Sequence, residues 1–161
     1  MVMEYRSVGE EYDLPRAAEC NDPLRYIAQA ELLAEGHGLP EGYVQQTTFW
    51  LIRNGTSIVA GSWLRHTLNQ WLLIEGGHIG YSVRPGCRRR GYGSLLCGLT
   101  LQKAREFGLT RVLITCNTEN AGSARIIQKN GGVFAGEDPS PYSGKPVSRY
   151  WVDLAGPVVN S

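Results

Sequence analysis

No run of apolar residues approaches the roughly 18 to 20 that a membrane-spanning helix needs. The amino terminus, Met1-Val-Met-Glu-Tyr-Arg, lacks a basic stretch followed by an apolar block, which is the pattern of a secretory signal. The four cysteines show neither CxxC nor CxxH spacing, which argues against zinc. Without an export signal they are not expected to form a disulfide framework. These absences predict a cytoplasmic protein with free thiols, no metal site and no membrane contact.

Lysine is also scarce, since 13 of the 16 basic residues are arginine. The net charge is only +1, and no broad basic stripe is present, so a nucleic-acid partner is not expected. Arginine is nevertheless well suited to bidentate recognition of phosphate, which leaves a local anion site open. The 161 residues, of which 42% are hydrophobic and 19% charged, predict one globular domain spanning residues 1–161.

Turn signals and apolar periodicity predict alternating strands and helices. Asn54-Gly55, between two β-branched and aromatic runs, is the strongest short signal of a hairpin. The strand–helix–strand unit within residues 78–134 predicts a right-handed parallel crossover, and the flanking hairpins make the sheet mixed. The predicted elements are a helix at 24–35, strands at 47–53, 56–65 and 78–83, a helix at 91–107, a strand at 112–114, a helix at 120–130, and strands at 133–136 and 147–152. The predicted buried stripe of the 91–107 helix consists of Leu95, Leu96, Leu99 and Ala104.

The loop at residues 83–94, Val-Arg-Pro-Gly-Cys-Arg-Arg-Arg-Gly-Tyr-Gly-Ser, is the most informative segment. It follows a predicted strand and opens a predicted helix, whose free N–H groups and partial positive charge suit a phosphate. Gly91 and Gly93 remove Cβ and so let an anion approach the backbone. Leu96 stands where a dinucleotide fingerprint needs its third glycine, and no GxxxxGK[ST] occurs, so two familiar nucleotide loops are excluded.

The pattern Arg88-x-x-Gly91-x-Gly93 resembles the R/Q-x-x-G-x-G/A acetyl-CoA loop of the GNAT family of N-acetyltransferases. A preceding strand, a following helix and Asn120-x-x-Ser123 at the start of the next helix strengthen the resemblance. It covers residues 45–153 and leaves 1–44 as an atypical N-terminal segment. Further strings similar to a bacterial GNAT subgroup are Arg65-His66-x-Leu68-Asn69, Gly76-Gly77-His78-Ile79-Gly80-Tyr81, Asn130-Gly131-Gly132 and Arg149-Tyr150-Trp151.

The resemblance implies an α/β (α+β) domain of the GNAT type. Its fold would be a mixed, mostly antiparallel sheet with a central splayed parallel strand pair and helices on both faces. Its activity would be transfer of acetyl from acetyl-CoA, a cosubstrate, to a primary amine by direct attack in a ternary complex. The residues it implies for cofactor binding are Tyr81, Ser82 and Val83 on the strand, Arg88, Arg89, Arg90, Gly91, Tyr92, Gly93 and Ser94 in the loop, and Asn120 with Ser123.

Two residues are candidates for catalysis. His78 has a side chain whose ordinary pKa suits proton removal near neutrality; the alternative is a hydrogen-bonded structural histidine. Glu75 would act through a water or select a cationic substrate; the alternative is a solvated loop acid. Ile127 stands where many members of the family have a tyrosine general acid. Another tyrosine (Tyr81, Tyr142 or Tyr150) or water is then left to protonate the thiolate.

The acceptor is expected to be a small-molecule or peptide amine, but its identity is open. Residues 1–41 hold nine acidic and three basic residues, a charge that would attract amines and polyamines, unless it is merely a solvated surface. A homodimer is among the alternatives for assembly. The main alternative function is a non-catalytic acyl-CoA-binding sensor or interaction module on the same fold.

Overall fold

The computed structural model describes residues 22–155. Between these residues, no helix is long and apolar enough to cross a membrane. A 3₁₀ turn, Pro85–Cys87, lies between the strand Ile79–Val83 and the helix Tyr92–Glu106. The elements in chain order are α1 (Pro23–Glu35), β1 (Gln46–Arg53), β2 (Ser57–Arg65), α2 (Gln70–Ile74), β3 (Ile79–Val83), α3 (Tyr92–Glu106), β4 (Arg111–Asn117), α4 (Ala121–Lys129), β5 (Val133–Pro139) and β6 (Pro146–Asp153).

The β1–β2 hairpin confirms the prediction made from its turn residues. Asn54 and Gly55 both have positive φ, 52° and 68°, as a two-residue turn of this kind requires. The two strands pair antiparallel along their whole length, with a register shift between Leu51 and Ile52. The turn residues Asn54 and Gly55 therefore determine where β1 turns back into β2.

The strands form two antiparallel three-stranded sheets, ordered β1-β2-β3 and β4-β6-β5. The single mixed sheet and its central parallel pair, expected from the resemblance, are not seen in the part of the chain from 22 to 155. The His78 Nδ1 accepts a hydrogen bond of 2.9 Å from the Leu113 N–H, so a side chain and not a β3 carbonyl takes this backbone donor of β4.

The two sheets nevertheless meet where β3 begins. The His78 N–H donates to the Leu113 carbonyl at 2.7 Å, and the Gly76 N–H donates to the Thr115 hydroxyl at 2.8 Å. Gly77, at φ +60°, lies so close that an added Cβ would stand 2.5 Å from the Leu113 carbonyl oxygen. Only glycine permits this approach, which seats the start of β3 on β4.

Helix α3 packs its buried face against β2 and β3. Leu96 and Ala104 are buried as predicted, whereas the prediction is wrong for Leu95 and Leu99, which are exposed. The helix is rotated so that small residues face the strands, which allows a close approach. The buried face consists of Gly93, Leu96, Cys97, Thr100, Leu101 and Ala104. The run Val112-Leu113-Ile114, in contrast, is fully buried as predicted, and it forms the core with Leu64 and Ile79.

Candidate functional site

A cleft of about 1080 Å³ opens between β3, β4 and the loop before α3. Most of the residues implied for cofactor binding line it: Tyr81, Ser82, Val83, Arg88, Arg89, Gly91, Tyr92, Gly93, Ser94, Asn120 and Ser123. Arg90 is exposed and is not among the lining residues. Glu75 is also among the residues that line the cleft. The cleft thus brings a cationic loop and a carboxylate into one space.

The loop before α3 is built to present its backbone. The 3₁₀ turn buries Cys87, and the Arg88 Nε donates to the Val83 carbonyl at 3.2 Å, which folds the loop back over the end of β3. Arg89 and Gly91 follow with positive φ of 61° and 83°. No side chain among residues 22–155 caps the start of α3, so its first N–H groups face the cleft together with the arginines. This combination can bind a phosphate anion.

The two loop glycines have different roles. Gly91 is the N-cap of α3, and a Cβ added there would meet nothing within 4 Å, so space is open at this point. Gly93 instead packs tightly, since its added Cβ would stand 2.8 Å from the Ile126 Cδ1. The expectation that both glycines admit an anion is therefore corrected for Gly93, whose small size serves the contact between α3 and α4.

Asn120 and Ser123 stand together at the start of α4. The Asn120 Oδ1 accepts from the Ser123 N–H at 2.9 Å, which confirms Asn120 as the predicted helix cap. The Tyr81 hydroxyl is 2.8 Å from the Ser123 Oγ, so β3 and α4 are joined across the cleft. Burial raises the pKa of Tyr81, and it raises the pKa of the neighbouring Cys116 thiol. Both groups therefore keep their protons near neutral pH, which disfavours Cys116 as a nucleophile.

Ile127 occupies the position where many members of the resembling family have a tyrosine general acid. Its side chain is fully buried in the core, where Gly132 packs against it. Of the three tyrosines that are candidates to protonate the thiolate, Tyr81 lines the cleft, whereas Tyr142 and Tyr150 are not among its lining residues.

Glu75 lies at the end of α2, where its carboxylate lines the cleft. The Ser140 hydroxyl, itself 1% exposed, donates a hydrogen bond to the Glu75 Oε2. The carboxylate is thus held by a buried partner rather than freely solvated. The sequence left a solvated loop acid as the alternative, and this contact shows that the carboxylate has a protein partner.

His78 does not line the cleft. Its ring is 8% exposed, it packs edge-on against Trp151, and its Nδ1 accepts from the Leu113 N–H. Burial, and second the positive charge of Arg65, lower the pKa of His78 to about 4. Its Nδ1 lone pair is occupied and its Nε2 carries the proton, so the geometry favours the structural alternative over the role of base.

The free energy of unfolding is therefore expected to depend on the protonation of His78. The native pKa, about 4, lies below the ordinary 6.5, so the unfolded chain binds a proton that the native chain does not. Stability is then full above pH 6.5 and falls by up to about 3 kcal/mol as the pH drops to 4. Denaturant melts between pH 7 and 4 measure this slope. His78→Asn, whose amide oxygen can still accept from Leu113, is the control; an equal slope in that variant would contradict the assignment.

A second cavity of about 560 Å³ lies beside the first, between α1, β1 and α2. Arg65 and Trp71 line both cavities. The Arg65 Nη1 donates to the carbonyls of Gly76 and Gly77, at 3.0 and 3.1 Å, which fixes the segment that leads into β3. The sequence alone gives Arg65 and Trp71 no role in the site, although Arg65 stands in a string that resembles the family.

Comparisons with known proteins agree with this geometry. The model of the acetyltransferase (GNAT) domain matches residues 3–133, which include most of the segment outside the earlier resemblance. No curated protein matches the chain.

Solved structures also match. One is yncA of Salmonella typhimurium, assigned as an acetyltransferase and solved with its cofactor acetyl-CoA (11% identity, 99% of this chain, 88% of that chain, TM-score 0.64). A second is a GNAT acetyltransferase from Bacillus anthracis (24% identity, 68% of this chain, 67% of that chain, TM-score 0.55). A third is a variant of SpeG, the spermidine N-acetyltransferase of Vibrio cholerae (14% identity, 80% of this chain, 75% of that chain, TM-score 0.57). At these identities the likeness shows a shared fold.

Proposed function

Because the chain belongs to the GNAT family of acetyltransferases, we propose that it uses acetyl-CoA to acetylate a primary amine in a ternary complex. The observation that carries the proposal is the loop from Arg88 to Ser94, which sets arginines and uncapped N–H groups on the wall of the large cleft. A pyrophosphate fits this donor set. The acetyl-CoA bound in yncA and the amine acetylated by SpeG support the proposal by analogy of fold.

The pantetheine arm would lie along Tyr81, Ser82 and Val83, with Asn120 and Ser123 on the facing helix. When bound, acetyl-CoA supplies a thioester, so that the amine nitrogen bonds to the carbonyl carbon, the carbon–sulfur bond breaks and the CoA thiol leaves. In this proposal Glu75 takes the proton from the amine, directly or through a water. Tyr81 gives a proton to the leaving sulfur and regains one from solvent. The cleft orients both partners, which is the main demand of a direct transfer.

Glu75 suits its role because it faces the cleft and is held by Ser140. Positioning matters, since a base must lie within hydrogen-bond reach of the proton it removes. His78, which stood beside Glu75 as a catalytic candidate, is proposed instead to hold β3 against β4 through Leu113. The two candidates from the sequence thus separate into one catalytic and one structural residue.

Tyr81→Phe is expected to lower kcat by about tenfold, while KM for acetyl-CoA changes little. The effect is smaller than is usual for a general acid because a thiolate is already a good leaving group. Steady-state assays of thiol release measure both constants. Tyr142→Phe, at a tyrosine that does not line the cleft, is the control; a loss of kcat in that variant and not in Tyr81→Phe would contradict the role of Tyr81.

A thermal melt tests the proposed function itself. The protein is heated in buffer alone and with acetyl-CoA, CoA or ATP; a ligand at about 100 times its Kd adds roughly 2.7 kcal/mol to the free energy of unfolding. Stabilisation by acetyl-CoA and CoA but not by ATP, followed by thiol release with an amine, is the expected result. Stabilisation without turnover across a broad amine panel would favour the acyl-CoA sensor. No stabilisation at millimolar acetyl-CoA would contradict both.

A further inference from the structure

The turn between β5 and β6 reaches back to the end of α2. Ser140 opens this turn, and its backbone N–H donates to the Lys145 carbonyl at 2.9 Å, which closes it. The turn borders the large cleft, because Lys145 is among the lining residues. The Tyr142 ring meets the Trp71 ring edge-on, with centroids 6.4 Å apart. Ser140 is thereby brought into contact with Glu75, which is 65 residues away in sequence.

The Ser140 hydroxyl has a fixed direction. A serine hydroxyl has one proton to donate and two lone pairs with which to accept. The Ser140 Oγ accepts from the Tyr142 N–H at 3.1 Å and from the Ser143 N–H at 3.3 Å. Both lone pairs are thus used within the turn, and the one proton is directed to the Glu75 Oε2. The Ser140 side chain is 1% exposed, which shields these bonds from water.

The Glu75 side chain is held at both of its ends. The Glu75 N–H donates to the Trp71 carbonyl at 2.9 Å, and the N–H of the next residue, Gly76, donates to the Thr115 hydroxyl at 2.8 Å. These bonds fix where the side chain begins, and the Ser140 hydroxyl fixes where it ends. Among residues 22–155, the Glu75 Oε1 accepts no hydrogen bond. That oxygen is therefore the one left to take a proton from a substrate.

We propose that Ser140 is a positioning residue for the acetyl transfer, because its hydroxyl sets the Glu75 carboxylate so that Oε1 is presented to the amine. The proton passes from the amine nitrogen to Oε1, directly or through a water, and Ser140 keeps its own proton throughout. Ser140 is not among the residues that line the cleft, so it acts through Glu75 and not on the substrate. The inference rests on the proposed function, with Glu75 as the base.

The test is a double-mutant cycle with Ser140→Ala in the parental protein and in Glu75→Gln. The readout is thiol release from acetyl-CoA with spermidine or phenethylamine, whichever is the faster acceptor. Without the hydroxyl the carboxylate can rotate, so kcat of the parental protein is expected to fall about tenfold, with KM for acetyl-CoA little changed. In Glu75→Gln, where no carboxylate is left to position, kcat should change less than about twofold. An equal loss in both backgrounds, or no loss in either, would overturn the inference.

Ser143→Ala is the matched control. Ser143 lies in the same turn, is exposed, and has a hydroxyl that accepts from the Lys145 N–H at 3.4 Å. Its removal leaves the contact between Ser140 and Glu75 in place, so kcat should stay within about twofold of the parental value. A loss as large as that of Ser140→Ala would show that the turn as a whole, and not the Ser140 hydroxyl, affects turnover.

A second pair of variants separates the hydroxyl from the packing at this buried position. Ser140→Thr and Ser140→Val introduce β-branched side chains of nearly the same shape, of which only threonine has a hydroxyl. Any strain from the added bulk is common to both. Threonine is expected to give a kcat at least about fivefold above that of valine, and this comparison holds even if Ser140→Ala is unstable. Equal kcat values in the pair would contradict the inference.

The two proposals fail in different ways. A protein that acetyl-CoA stabilises and that releases thiol with an amine, but that keeps its kcat in Ser140→Ala, retains the proposed function and loses the inference. A parental kcat in Glu75→Gln removes Glu75 as the base, and Ser140 with it, while acetyl transfer stands. A protein that neither binds acetyl-CoA nor releases thiol with either amine loses both proposals.

Discussion

Replacing Gly91 by aspartate is expected to weaken the binding of acetyl-CoA about 50-fold. Gly91 caps α3 at the mouth of the cleft, where an added side chain meets no neighbour within 4 Å. A carboxylate there would face the pyrophosphate that the loop is proposed to hold. Like charges about 5 Å apart near a surface repel by roughly 3 kcal/mol before salt screening. Isothermal titration with CoA measures the change in Kd.

Gly91→Asn is the matched control for this substitution. Gly91 has φ of +83°, which strains most side chains, but asparagine and aspartate tolerate such backbone comparatively well and have nearly the same shape. The difference between the two variants therefore reports the added charge and not the backbone. Equal CoA affinities in Gly91→Asp and Gly91→Asn would remove the loop from the proposed phosphate site.

Replacing Glu75 by glutamine is expected to lower kcat about 100-fold, because positioned proton transfer typically contributes at least this factor. KM for acetyl-CoA should change little, since Glu75 is proposed to act on the amine and not to bind the cofactor. Glutamine keeps the size of the side chain and can still accept from the Ser140 hydroxyl, so the fold is expected to survive. Initial rates of thiol release against acetyl-CoA and amine give the two constants.

Glu119→Gln provides the comparison, because Glu119 is exposed and lies outside both cavity linings. It should retain the parental kcat. A Glu75→Gln enzyme with parental kcat over the whole pH range would show that Glu75 is only a structural partner of Ser140, and proton removal would then pass to water.

Local chemistry explains which parts of the fold could be predicted from the sequence. The turn at Asn54-Gly55 and the cap by Asn120 depend on residues within a few positions of each other, and both are confirmed. The buried strand around Leu113 could be predicted for the same kind of reason, since a continuous apolar run needs cover on both faces. None of these depends on distant parts of the chain.

The sheet arrangement could not be predicted in this way. Where β3 meets β4, the His78 ring takes the Leu113 N–H, a contact between residues 35 apart in sequence. The buried face of α3 depended on a small residue, Gly93, meeting Ile126 on another helix. The pattern of apolar residues in the sequence reveals neither contact. Leu95 and Leu99, which are exposed, therefore looked as well suited to the core as Leu96.

The candidate site divides along the same line. The loop proposed to bind phosphate stands out in the sequence because a strand, arginines, glycines and a helix start follow one another in the chain. The sequence could not show which arginines line the cleft, because irregular backbone such as Arg89 at φ 61° has no periodicity. Arg90 is not among the lining residues. The roles of His78 and Glu75 likewise depended on burial and partners, the Leu113 N–H for one and the Ser140 hydroxyl for the other.

Two ligands that both move Arg65 would make the two cavities thermodynamically dependent on each other. Its guanidinium lines both, and it holds the carbonyls of Gly76 and Gly77, which lead into the strand along the large cleft. A molecule in the small cavity that displaces this guanidinium thereby shifts the backbone of the neighbouring site. Linkage then requires reciprocity: whatever factor the first ligand imposes on the affinity of the second, the second imposes on the first.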